Sequence, residues 1–166
     1  MTKNRPEPPT LLYLIKQVEL ASRAGLDELT RPVGLTALQY TALTVLERHP
    51  GLTAAHLARN SFVTAQSMAD MVTNLLRRGL VERNRDPQDR RRLVLSLTDE
   101  GHRVLADLRP EVAALEARML VELPADSADE LRELLEACRR GLGSRTTHAR
   151  SAGSSEWGPE ADHQVS

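Results

Sequence analysis

Aromatic residues are nearly absent from this 166-residue chain: Tyr13, Tyr40, Phe62 and Trp157 are all it has. A core without rings is built from aliphatic side chains and alanine. That suits packed helices better than a sandwich, whose strands favour aromatic and β-branched residues. A single cysteine, Cys138, excludes an internal disulfide and a cysteine metal cage within one chain. No apolar run reaches the roughly 18 residues of a membrane span. The opening MTKNRPEPPT lacks the apolar region of a secretory signal, so a soluble cytoplasmic protein with no membrane partner is expected. Lysine is scarce too, with only Lys3 and Lys16 among 22 basic residues. That bias reads as codon usage in a GC-rich bacterial genome.

What is present is unevenly placed. The formal net charge is −1, which excludes a uniformly basic coat protein or a polyanionic tail. Between Arg77 and Arg92, however, seven arginines face three acids, a local charge of +4. Between Asp107 and Glu136, nine acids face three arginines, a local charge of −6. A molecule with a basic pole and an acidic pole offers one face only to a polyanion.

Residues 1–9 hold three prolines and read as a flexible arm. Thr10 then caps a helix with Leu11, Leu14, Ile15 and Val18 at helical spacing, continuing toward Leu26 and Leu29. Arg31-Pro32-Val33-Gly34 interrupts it. Thr36 caps a second helix to about Arg48, with Leu38, Ala42, Val45 and Leu46 inward. Thr53 caps a short third to about Asn60, with His56 partly buried in it. Thr64 caps a fourth, whose stripe of Met68, Met71, Val72 and Leu75 ends before Gly79. The period then changes to that of strands. Leu80 to Arg85 and Leu93 to Leu97 flank the turn Asp86-Pro87-Gln88-Asp89, giving a hairpin with an arginine-rich tip. Thr98 caps a long helix with Val104, Leu105, Leu108, Val112, Leu115 and Met119 inward, and Pro110 predicts a kink or break. A last amphipathic helix begins at Asp126 and carries Leu131, Leu134, Leu135, Cys138 and Leu142. The polar remainder, 143–166, reads as a disordered tail in which Trp157 is incidental.

Helix, turn, helix and basic hairpin in that order have a physical use. An α-helix fits the DNA major groove with its N-terminal turn nearest the base edges. Opposite the apolar stripe of the helix from Thr64 lie Gln66, Ala69, Asp70, Thr73 and Arg77. Gln66 matches an adenine edge, Ala69 a thymine methyl, and Asp70 a cytosine amino group. The alternative is an ordinary solvated face. The tip, Arg90-Arg91-Arg92, crowds three cations that favour the deep negative potential of a narrow minor groove.

The run GLVERNRDPQDRRRLVLSLTDEG, preceded by VTAQSMADMVTNLLRR, resembles the MarR family of bacterial transcriptional regulators. The likeness spans about Leu11 to Leu142. Asp86, Asp89 and Arg91 fall where that family has Asp-x-Arg-Asp-x-Arg, and Leu97-Thr98 with Gly101 matches its Leu-Thr-x-x-Gly. Gln88 stands where the pattern has its first arginine, which removes a phosphate contact or an internal ion pair. The resemblance implies a mainly α fold with a two-stranded β wing, an intertwined homodimer through its N- and C-terminal helices. Within residues 10–142, dimerisation helices at about 10–30 and 99–142 then enclose a DNA-binding winged helix at about 36–98. It further implies that Arg91 enters the minor groove held by Asp89, and that Asp86 and Asp89 orient the wing. The helix from Thr64 would read the major groove through Thr64, Gln66, Ala69, Asp70 and Thr73, with Arg77, Arg90 and Arg92 on phosphates. A repressor acting on a pseudo-palindromic double-stranded operator follows. The same resemblance implies a small phenolic or carboxylate effector bound between the lobes. Pro110 is a candidate flexible point, and Tyr13 and Tyr40 are candidate pocket residues.

Other classes fare less well. The histidines lack the spacing of a helical zinc site, so no metal or cofactor is expected. No nucleophile elbow, phosphate loop or dinucleotide fingerprint is present, so no enzyme is expected. A redox-sensing regulator working through Cys138 is an alternative, although a buried thiol is usually inert. A winged-helix adaptor for another protein is the more serious one. It leaves Arg90, Arg91 and Arg92 without a purpose.

Overall fold

The computed structural model describes residues 7–61 and 63–151, with side chains described as far as Leu142. Two compact units divide the chain, Met1–Met119 and Leu120–Ser166. The first unit contains α1 (Leu11–Thr30), α2 (Ala37–Arg48), α3 (Ala54–Asn60), α4 (Ala65–Arg77), the strands β1 (Val81–Arg85) and β2 (Leu93–Leu97), and α5 (Asp99–Leu120) to its penultimate residue. The fold is mainly α with a two-stranded β wing.

Each of the first four helices begins where a threonine hydroxyl can accept a backbone N–H. Thr10, Thr36, Thr53 and Thr64 do so from Tyr13, Gln39, His56 and Ser67. At Thr36 the bond is reciprocal, because the Gln39 side chain accepts from the Thr36 amide at 3.0 Å. Helix α4 closes on Gly79, which adopts φ +67°. Its amide donates to Leu76 O and that of Leu80 to Leu75 O, so two orphan carbonyls are satisfied as the chain reverses into β1.

The core gathers the inner faces of α2, α3 and α4, both strands and the first half of α5. Leu43, Leu46, Leu57, Met68, Leu75 and Leu95 are its largest fully buried side chains. Leu43 belongs to the inner face of α2, whereas Leu38 and Val45 are half-buried. Strands β1 and β2 pair antiparallel from Val81 opposite Leu97 to Arg85 opposite Leu93. A further bridge joins Leu52 to Leu95, with Gly51 N donating to Leu95 O and Leu95 N to Leu52 O. The wing is thereby tied to the connection between α2 and α3.

The start of α5 explains a sequence pattern. Thr98 Oγ1 donates to Gly79 O at 2.6 Å and accepts from Gly101 N at 3.1 Å. Gly101 passes so close to Leu80 that a Cβ there would lie 2.2 Å from its carbonyl oxygen. Threonine and glycine at this spacing weld the wing, the end of α4 and α5 together.

Several expectations need correction. Of the kink or break expected at Pro110, the break is absent: helix α5 runs through it. Proline forfeits one backbone bond, but Leu105 and Leu108 are buried on one side and Leu115 packs against Gly25 on the other. Those contacts hold the two halves in one helix. Met119 is exposed and Val112 and Leu115 are only half-buried, and His56 is exposed. The first half of α1 buries none of its apolar stripe: Leu11 is 77% and Leu12 73% exposed. In the second unit α6 (Ser127–Ser151) exposes Leu134, Leu135, Cys138 and Leu142. Cys138 is therefore no buried thiol within the chain. An amphipathic stripe shows that a face needs cover, not that the same chain supplies it.

Helix α6 also continues nine residues past the expected boundary at Leu142. Glycine in a helix costs about 1 kcal/mol, far less than proline, and 144–151 contains no proline. The remainder of the expected tail, 152–166 with Trp157, lies outside the described residues. So do residues 1–6 of the arm, and Phe62.

Candidate nucleic-acid interface

Helix α4 presents two chemically opposite faces. Met68, Met71, Val72 and Leu75 are buried, while Gln66, Ala69, Asp70, Thr73 and Arg77 are all exposed. The expected reading residues therefore share one outer surface. Their polar groups are partly engaged with one another. Gln66 Nε2 donates to Asp70 Oδ1 at 3.3 Å, and Thr73 Oγ1 donates to Ala69 O at 2.8 Å. Thr64, also expected to read bases, uses its hydroxyl as the helix cap. It accepts from Ser67 N at 3.1 Å and donates to Ser67 Oγ at 2.9 Å.

The hairpin tip is built on its two aspartates. Asp86 Oδ1 accepts from Gln88 N at 2.9 Å and Asp89 Oδ1 from Arg91 N at 3.0 Å. Such side-chain turns fix the backbone locally. Arg92 N donates to Asp89 O, and Asp86 N to Arg92 O, closing the loop. Asp89 thus grips the main chain of Arg91 and leaves its guanidinium to project. Asp86 has a further partner: its Oδ2 pairs with Arg92 Nη1 at 3.7 Å.

The seven arginines of the basic segment consequently separate into two sets. Arg78 donates from both terminal nitrogens, to Gly34 O and Val33 O, each at 2.6 Å. It stitches the end of α4 to the loop after α1. Arg85 Nη1 donates to Arg90 O across the tip at 2.9 Å, and Arg92 is paired with Asp86. Among the described residues, the guanidinium groups of Arg77, Arg83, Arg90 and Arg91 make no hydrogen bond or ion pair within the chain. Arg83, which lies on β1 and is exposed, was not singled out by sequence reasoning. Strand alternation would not have found it, because Arg83 lies two residues from the buried Val81 and opposite the buried Leu95, on the same face of the hairpin.

The same unit holds a cleft of about 580 Å³ between α1, α2 and α5. Val18, Leu26, Val112, Leu115 and Met119 supply apolar walls, and Tyr40, Thr44, Arg48, Glu116 and Arg118 polar ones. Burial raises the Tyr40 phenol above its ordinary range, helped by Glu116 and Glu47 and opposed by Arg109 and Arg48. Tyr13 takes no part: it is exposed and its hydroxyl accepts from Gln17 Nε2 at 2.9 Å.

A capped helix pair followed by an arginine-tipped wing defines a winged helix-turn-helix protein. Comparison with known proteins narrows this. Residues 33–92 match the model of the MarR family. The HTH-type transcriptional repressor Rv2887 of Mycobacterium tuberculosis is 32% identical over 124 residues, which are 75% of this chain and 89% of that protein. The transcriptional repressor CouR bound to a 23-mer DNA duplex superposes with a TM-score of 0.69 at 31% identity, covering 78% of this chain and 92% of its own. CouR from Rhodococcus jostii RHA1 bound to p-coumaroyl-CoA gives a TM-score of 0.69 at 25% identity, covering 77% and 90%. This chain belongs to the MarR family of DNA-binding transcriptional regulators.

Proposed function

We propose that the protein represses transcription by binding a pseudo-palindromic operator as a homodimer, and that a small effector tunes that binding. The observation that carries the reading is one outer surface of α4, bearing Gln66, Ala69, Asp70 and Thr73, combined with Arg90 and Arg91 projecting from the wing. In this reading α4 enters the major groove and Arg91 the adjacent minor groove. Arg77, Arg83 and Arg90 meet phosphates. Arg92 contributes less to phosphates than the sequence suggests, since Asp86 neutralises it. Thr64 sets the start of the reading helix and touches DNA only with the rest of its surface.

A second copy supplies the cover that α1 and α6 lack. The exposed Leu11, Leu12, Leu14, Ile15 and Val18, and Leu134, Leu135 and Leu142, are more apolar surface than a monomer leaves wet. Two-fold symmetry then dictates half-sites about one helical turn apart. The α1–α2–α5 cleft has the volume of a small-molecule site. Its apolar walls suit an aromatic body, and Arg48, Arg118 and the Tyr40 hydroxyl suit a carboxylate or phenol. Such a ligand shifts DNA affinity only by its differential affinity for two arrangements of the reading helices. The DNA complex and the acyl-CoA complex of CouR support both halves of the reading by analogy.

The test is a salt-titrated gel shift on the DNA upstream of the protein's own gene, with unrelated DNA of equal length as competitor. A discrete complex that survives competitor and weakens steeply with salt is expected. Absence of binding to either DNA at low salt overturns the reading in favour of a protein-binding adaptor.

A further inference from the structure

The contact between Gln66 and Asp70 carries a consequence for which base is read, given the reading of α4 as the recognition helix, on which it rests. A glutamine amide can be turned end for end at little steric cost, because its oxygen and nitrogen are nearly the same size. The two orientations leave different donors free for a base. An ionised carboxylate is an acceptor only, so Asp70 admits one of them, with the NH₂ end of Gln66 toward Oδ1 at 3.3 Å.

That NH₂ has two hydrogens. One is used on Asp70, and the other remains beside Oε1 as a donor–acceptor pair. Adenine offers the complement on its major-groove edge, an acceptor at N7 and a donor at N6, whereas guanine offers acceptors at both N7 and O6. With the amide held, Oε1 would face guanine O6, two acceptors in opposition. With the amide released from Asp70, both NH₂ hydrogens would be available to guanine N7 and O6, with Oε1 turned away. We infer that Asp70 is a positioning residue, which sets adenine over guanine through Gln66 and does not itself read a base.

A negative charge on a DNA-facing surface also repels phosphates. Its removal therefore has two opposite effects, weaker discrimination together with equal or tighter overall binding. A residue that merely supports the helix would lower both.

Duplexes selected from a randomised pool by the full-length protein define its site, and a panel of single base-pair substitutions then gives preference at each position. Gln66→Ala identifies the base pair that Gln66 reads. Asp70→Asn, whose amide can present either end to Gln66, is expected to reduce the adenine-over-guanine ratio at that same pair by about tenfold, with overall affinity unchanged or raised. In a Gln66→Ala background it should reduce the ratio no further. Asp70→Glu, retaining a carboxylate, should keep most of the preference. Matching circular-dichroism melts separate these effects from folding. The proposal is overturned if Asp70→Asn leaves the ratio intact, or moves preference at a different base pair, which would make Asp70 a direct reader. If the wild-type protein selects a site to which Gln66→Ala is indifferent, the proposal alone falls. If the wild type selects no site at all, the recognition-helix reading falls with it.

Discussion

A methyl group on Gly101 collides with backbone. Built with ideal geometry it lies 2.2 Å from the Leu80 carbonyl oxygen, 3.2 Å from the carbonyl carbon and 3.4 Å from Leu97 Cδ2. Rotamer changes cannot relieve the first two contacts, because Leu80 O also accepts from Thr98 N at 3.2 Å and Gly79 O from Thr98 Oγ1 at 2.6 Å. Either α5 or the start of β1 must move. Overpacking of this kind costs about 1–3 kcal/mol and occasionally more. Against it stands a gain of about 0.5–1 kcal/mol from replacing glycine in a helix. The net expectation for Gly101→Ala is a loss of about 1–2 kcal/mol, or a melting temperature lower by roughly 2–8 °C for a chain of this size. Urea unfolding followed by far-ultraviolet circular dichroism, at fixed protein concentration, should show a lower midpoint with an unchanged slope. Gly25→Ala is the matched control. Its methyl meets the far end of a side chain, Leu115 Cδ1 at 2.8 Å and Cδ2 at 3.1 Å, which can turn aside. It should change stability by less than about 1 kcal/mol in either direction. Equal losses for the two variants, or a Gly101→Ala protein as stable as the parent, would refute this account of the Thr98–Gly101 weld.

Three further outcomes follow from the same contacts. Arg91→Ala should weaken binding to specific DNA by about 1–3 kcal/mol with no change in melting temperature, as measured by gel shift and calorimetry; normal specific binding would remove the wing from the interface. The neighbours Arg77 and Arg78 should part company. Arg77→Ala should weaken all DNA sequences alike and flatten the salt slope by about one, whereas Arg78→Ala should lower stability by about 1–2 kcal/mol through its two carbonyl bonds and leave the slope unchanged. Tyr40→Phe should reduce the response of DNA binding to a phenolic or aromatic carboxylate effector by about tenfold. Because burial, with Glu116 and Glu47, holds the phenol above its ordinary range, the deficit should be flat across neutral pH in a titrated release assay.

Local chemistry explains why the order of elements is legible in the sequence. Thr10, Thr36, Thr53 and Thr64 each precede an apolar period of helical spacing, and each side chain caps the helix that follows. The Asp-Pro turn between two short segments after Gly79 that lack helical spacing marks the wing for the same reason. Long-range features left no comparable trace. The bridge from Leu52 to Leu95 joins segments 43 residues apart in sequence, and no single-residue preference encodes it. Nor does composition distinguish a stripe covered by its own chain from one that is not. Leu43 and Leu12 are the same residue on regular helices, yet one is fully buried and the other 73% exposed.

The candidate site divides along the same line. Helical periodicity separates Gln66, Ala69, Asp70, Thr73 and Arg77 from the core face because a wheel needs only the chain's own spacing. Charge counting locates the basic segment but treats its arginines as equivalent. The fold makes them unequal, and the reason in each case is a partner that sequence proximity does not reveal. Arg78 is anchored to carbonyls 44 and 45 residues earlier. Arg92 is paired with an aspartate on the opposite side of the turn, and Arg85 is bound to a main-chain oxygen at the tip. A guanidinium engaged within the fold has fewer of its five donors free and is held in place by those it uses, so its net contribution to binding is smaller than its charge suggests. In the proposed interface, the guanidinium groups with no partner among the described residues are those of Arg77, Arg83, Arg90 and Arg91. A salt slope well below seven phosphates per protomer is the quantity that tells this arrangement from a uniformly charged strip.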